Sequence, residues 1–171
     1  MKLITYQSEV VLKILNQNII YRAKPSISFK KEYACLIDML KLDCACPVFA
    51  VVDGKKQNSS GRISSSVKLM LDVPDDQIKY TEFSVWADFM YASKFSKPYN
   101  YRKLMASSHD ISFKHYQDLI NKIETQLPCG NYQYPQAILE YIDPKWLVSS
   151  TNFKKTPPIS FIEKLGNLFR K

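Results

Sequence analysis

Val67-Lys68-Leu69-Met70-Leu71-Asp72-Val73, stopped by Pro74-Asp75-Asp76, decides the fold class. Apolar residues alternate through most of the run, as in a strand with one face in a core, and the Pro-Asp-Asp sequence ends it as a turn. Upstream, Pro47-Val48-Phe49-Ala50-Val51-Val52 is also β-rich and ends at the turn signal Asp53-Gly54. The polar stretch Gln57-Asn58-Ser59-Ser60-Gly61 separates the two. Further strands are expected at Leu3–Tyr6, Ile19–Tyr21 and Gln136–Ile142.

Helical spacing marks the segments between. Ser8 is placed to cap a helix carrying Val11, Leu12 and Leu15. A second helix opens at Ser28 with a stripe of Tyr33, Leu36, Ile37 and Leu40. A third, capped by Thr81 or Ser84, holds Trp86, Phe89 and Met90, and a long fourth starts at Asp110 or Ser112 and carries Leu119, Ile120 and Ile123. Pro128-Cys129-Gly130-Asn131 ends it, and Pro144–Leu147 reads as a short turn or helix. Strands are short and uneven, and the crossovers do not repeat as regular βαβ units. The expected fold is therefore α+β, a single domain over 1–156 with a mixed or antiparallel sheet flanked by helices. Pro157-Pro158 sets off a C-terminal amphipathic helix within 157–171, with Ser160-Phe161-Ile162-Glu163 as a capping box.

Composition narrows the function. The chain has 171 residues, 46% hydrophobic and 23% charged, enough for a core and too apolar for wholesale disorder. With 4 Gly there is no material for a glycine-rich phosphate loop. No apolar stretch approaches the ~20 residues of a membrane span, and the opening residues turn polar too early for a signal peptide, so a cytoplasmic protein is expected. Cys44-Ala45-Cys46 is too tight for a zinc knuckle; Cys35 and Cys129 complete a set read as reduced thiols, at least one of them buried, and no metal is expected. The net charge of +8 favours a polyanionic partner, DNA or RNA, although a lysine-rich solubility surface has the same signature.

Three places could carry chemistry. Along the strand 136–142, Gln136, Ile138, Glu140 and Ile142 share a face, so a carboxylate and an amide look into either a cleft or solvent. Arg62, beside Ser64, Ser65 and Ser66, suits a phosphate. Thr5-Tyr6-Gln7, at the end of the first strand, stands just before a helix N-terminus that favours an anion. His109 and His115 both sit in the Ser/Lys/Tyr-rich region around a helix start, where no catalytic base is expected.

Several of these segments resemble, in order along the chain, the domain-of-unknown-function family 3841 of bacteria and phages. They are Leu3–Gln7, Pro47–Ala50, Asp53-Gly54-Lys55 with Arg62, Leu69–Asp76, Glu82–Trp86, and Gln136–Glu140 with Phe153. More distantly the chain is similar to the DNA-modifying ADP-ribosyltransferase toxins. In that group an opening strand precedes a helix, a central Arg follows a β-rich segment, and a late Tyr-Pro-Gln-Ala-Glu strand supplies the catalytic Glu. Tyr134-Pro135-Gln136-Ala137 matches the late strand; Ile138 stands where that Glu would be, and Glu140 is the nearest carboxylate on the same face. The toxins' opening His is absent, with Thr5 or Tyr6 near its place. The resemblance implies an ADP-ribosyltransferase-like fold and NAD as substrate. Glu140 and Gln136 would be catalytic, with Thr5, Gln7, Arg62 and Trp86 holding the cofactor and Tyr6, Tyr21 or Trp86 as an aromatic shelf. It also implies a setting of toxins or phage conflict, with a nucleic-acid acceptor and a protein partner such as an antitoxin. The alternative is a non-catalytic nucleic-acid or protein-binding module on the same fold.

Overall fold

The structure, a computed structural model, describes residues 1–25, 29–55, 66–95 and 111–152, with the backbone alone over 91–95 and 111–116. Its centre is a six-stranded sheet in which every neighbouring pair is antiparallel. In chain order the strands are β1 (Lys2–Gln7), β2 (Val48–Val52), β3 (Val67–Asp72), β4 (Lys79–Glu82), β5 (Pro135–Leu139) and β6 (Leu147–Asn152), and their spatial order is β4-β5-β2-β1-β3-β6. Four α-helices lie among the described residues: α1 (Glu9–Asn16), α2 (Lys30–Leu40), α3 (Phe83–Phe95) and α4 (Ile111–Glu124). The sheet is thus single and antiparallel, one of the two arrangements the sequence allowed. Among the described residues no helix is long and apolar enough to cross a membrane.

Alternation along the strands sorts side chains into two cores. Leu3, Val48, Ala50, Val52, Leu69 and Leu139 point to one face, where Val11 and Leu15 of α1 and the segment ending at Trp146 cover them. Ile138 points to the other, against Leu36, Met39 and Leu40 of α2, Trp86 and Phe89 of α3, and Leu119, Ile120 and Ile123 of α4. Full burial of each such aliphatic side chain contributes ~1.5–3 kcal/mol. Helices α2, α3 and α4 therefore hold down the β4-β5-β2 half of the sheet.

Several elements differ from the sequence expectation. Thr81 is no helix cap: it lies in β4, 1% exposed, and α3 begins two residues later. β4 and β6 are edge strands whose short polar sequences, Lys-Tyr-Thr-Glu and Leu-Val-Ser-Ser-Thr-Asn, carry little apolar alternation. Ile19-Ile20-Tyr21 is not a strand; one bridge, Tyr21 to Ile142, forms there, and Ile19 and Ile20 are exposed. Ser8 occupies the N-cap position of α1 without a side-chain capping hydrogen bond among the described residues. The α2 helix ends where Lys41 takes a left-handed conformation, φ 53°, and Leu42 N–H reaches back to Ile37 O at 2.9 Å. The 157–171 helix, Arg62, Ser28, the two His and the 57–61 loop lie outside the described residues, except that α4 runs through His115.

Candidate functional site

One seam of the sheet is incomplete. β1 pairs with β3 along its whole length, from Lys2–Asp72 to Gln7–Val67, but with β2 only at Leu3–Val52 and Ile4–Val51. On its other edge, Val48 to Val51 of β2 pair with Leu139 to Gln136 of β5. Beyond Ile4 the two halves of the sheet part. Thr5 Oγ1 bridges the gap, donating to Phe49 O at 2.8 Å in place of the missing ladder bond, and accepts in turn from Gln7 Nε2 at 2.8 Å. Thr5 is 1% exposed, so its hydroxyl is spent holding the seam and orienting the Gln7 amide.

A cavity of about 640 Å³ opens at this seam. Consecutive residues of both lips line it, Ile4 to Gln7 on one side and Pro47 to Val51 on the other, which follows from the parting of the strands. Its roof comes from α2 and α3, through Tyr33, Phe83, Trp86 and Met90, and Gln136 enters from β5. Aromatic rings form one wall: Tyr33 meets Phe49 at 5.4 Å between centroids, Phe49 stacks on Trp86 at 6.4 Å, and Trp86 on Phe89 at 5.5 Å. This is a surface for a flat ring. Among the described lining residues there is no Asp, Glu, Lys, Arg or His. Burial, the Cys46 thiol and the Glu32 carboxylate raise the pKa of Tyr33, keeping its phenol a donor. Such a site suits a neutral ring bearing polar substituents, in a volume ordinary for a small-molecule pocket.

Glu82 positions the β5 arm. Its carboxylate accepts from Gln133 N–H at 2.7 Å and Tyr134 N–H at 2.9 Å, and Phe83 N–H donates to Tyr134 O at 3.0 Å. The chain is thereby fixed just before Pro135 enters the sheet and Gln136 reaches the cavity.

Of the residues marked in the sequence, the structure brings Thr5, Gln7, Trp86 and Gln136 to this one cavity, with Tyr6 beside them. It does not bring Glu140 there. β5 ends at Leu139, and Glu140 Oε1 accepts from Asp43 N–H at 2.9 Å in the connection between α2 and β2. At ~3.3 Å per residue, Glu140 stands ~13 Å along the chain from Gln136. Tyr21 is not among the described lining residues and bridges to Ile142, so it forms no shelf here. Arg62 lies outside the described residues. Sequence reading missed Phe49, Tyr33 and Cys46. Phe49 was within reach: between Val48 and Ala50, which face the other core, an aromatic of opposite parity must point to the helix side.

Among the described residues no group of three His, Cys, Asp or Glu is placed to hold a metal ion. All four cysteines are free thiols and Cys46 is buried. The fold and cavity define a class: an antiparallel α+β domain with an aromatic-walled cleft at a parted sheet seam, its described lining uncharged. Compared with known proteins, the chain matches no family model, no curated protein and no solved structure.

Proposed function

We propose that the cleft binds NAD and that the protein is an ADP-ribosyltransferase-type domain, with nucleic acid as the acceptor. One observation carries the reading: the opening strand and the late Tyr-Pro-Gln-Ala strand, the two segments that resemble the DNA-modifying transferases, deliver Thr5, Gln7 and Gln136 to the same aromatic-walled cavity. The nicotinamide ring of NAD is a flat pyridinium cation, and the aromatic faces of Phe49 and Trp86 suit such a ring. In the transfer, the bond between the ribose anomeric carbon and the nicotinamide nitrogen breaks and nicotinamide leaves with the electron pair. The acceptor then bonds to that carbon and gives up a proton. Negative charge beside the ribosyl cation speeds such a step. The net charge of +8 favours DNA or RNA as acceptor.

A second reading, a non-catalytic NAD- or nucleotide-binding module that acts through a nucleic-acid or protein partner such as an antitoxin, is favoured by the absence of any carboxylate among the described lining residues. The experiment that separates them is incubation of the full chain with labelled NAD, with and without single-stranded DNA or RNA. Released nicotinamide and labelled nucleic acid support transfer. A rise in melting temperature with NAD and no turnover supports the binding module. Neither binding nor turnover removes both.

A further inference from the structure

Two buried polar atoms at the β4–β5 wall have no hydrogen-bond partner among the described residues: Gln136 Oε1 and Thr81 Oγ1. They are cross-strand neighbours, since Thr81 pairs with Gln136 in register, so both side chains rise on the same face. Gln136 lines the cavity and Thr81 stands behind it. An unpaired buried acceptor is costly, and the last torsion of a glutamine is soft. Turning the Gln136 amide toward the cavity therefore breaks no bond of its oxygen and gives it access to a donor.

We infer that Gln136 is the specificity determinant of the cleft, its amide oxygen accepting from an exocyclic NH₂ group on a flat heteroaromatic ring. Deepening the NAD reading, this identifies the chemistry read by the cleft. Two observations converge on it. The orphaned atom of Gln136 is an acceptor open to an N–H or O–H donor, and an exocyclic NH₂ in the plane of a flat ring supplies one. The described lining also contains no cation, so a ring carrying a carboxylate in place of the amide or amine enters with an unpaired charge. Both nicotinamide and adenine carry the required group, and the two are separated by experiment.

The test is a titration of the full chain with nicotinamide, adenine and nicotinate, read by protein-detected NMR, on wild type and Gln136→Met. Wild type should bind nicotinamide or adenine about tenfold or more tightly than nicotinate. The tighter of the two identifies which ring sits on the Phe49–Trp86 wall. In Gln136→Met the preference should shrink to about twofold, with no fall in melting temperature, because the substitution removes a buried unpaired polar atom at nearly constant shape. Gln136→Leu is the second variant if Met packs poorly. Equal or tighter binding of nicotinate overturns the inference, as does a preference that survives loss of the amide. Selective ring binding without NAD binding or turnover leaves the inference standing and removes the transferase reading. NAD binding without ring selectivity does the reverse.

Discussion

Replacing Thr5 by Val probes the seam from which the cleft is built. The two side chains are nearly isosteric, so the change isolates the hydroxyl. It deletes the donor to Phe49 O and the acceptor for Gln7 Nε2, both at 2.8 Å. The Phe49 carbonyl points into the parted seam, where no ladder bond is available, and a partly buried carbonyl left alone costs ~1–2 kcal/mol. For a chain of this size that corresponds to a fall of roughly 2–8 °C in melting temperature. NAD affinity should fall as well, because the Gln7 amide loses the partner that orients it. Thr5→Ser supplies the control: it retains the hydroxyl, loses one methyl group worth ~1 kcal/mol, and should keep NAD affinity. Calorimetric melts with and without NAD read both effects. If Thr5→Val melts within about 1 °C of wild type and binds NAD equally well, the hydroxyl does not hold the seam and the reasoning fails.

Other perturbations test other parts of the account. Tyr80 is pushed up to about 12 by burial first, then by the Cys129 thiolate and Asp75. With the unfolded phenol at 10, its contribution is present below pH 10 and is lost as pH rises toward 12, so wild type should lose ~1 kcal/mol relative to Tyr80→Phe between pH 7 and pH 11 in urea titrations. At pH 7 that variant should be neutral or stabilising, since the Tyr80 hydroxyl is buried without a partner among the described residues. Cys44 is raised to about 11, by burial first and then by the Glu140 carboxylate and Cys46. Alkylation with iodoacetamide at pH 8 should be on the order of a hundredfold slower in the native protein than in urea. Glu140→Gln should speed that labelling and leave the fold intact, with NAD affinity within about twofold of wild type, since Glu140 touches Asp43 N–H and not the cavity. An unchanged labelling rate would separate Glu140 from Cys44. Glu82→Ala should cost ~1–2 kcal/mol by freeing Gln133 and Tyr134 N–H, and should weaken ligand binding by loosening the β5 arm.

Strong apolar patterns carried the readable part of the fold. β1, β2, β3 and the helical stripes of α1, α2 and α4 could be read from alternation or 3.6-residue spacing, because each buries one face in a core. β4 and β6 could not. As edge strands each is paired on one side only among the described residues, and β6 is almost wholly exposed, so neither needs an apolar period. Ile19 and Ile20 misled for the opposite reason: β-branched residues at an exposed position imitate a strand without the pairing that makes one. In the site, Thr5 and Gln7 stood out at a strand end before a helix, Gln136 by strand parity and Trp86 through the resemblance, and they meet. Glu140 stood out by strand parity. Parity holds only while the strand lasts, and β5 ends one residue earlier. The parted β1–β2 seam itself was invisible, because it depends on pairing partners distant in sequence.

The most direct measurement of the central claim is an NAD titration of Trp146→Phe followed by tryptophan fluorescence. The chain has 2 Trp, and this variant leaves Trp86, the residue of the cleft wall, while phenylalanine preserves the stacking on Tyr141. A saturable change in Trp86 emission, shifted to higher NAD concentration in Gln136→Met and in Thr5→Val, is the predicted result. Emission unaltered by NAD in a folded Trp146→Phe protein would contradict the assignment of this cleft to the dinucleotide.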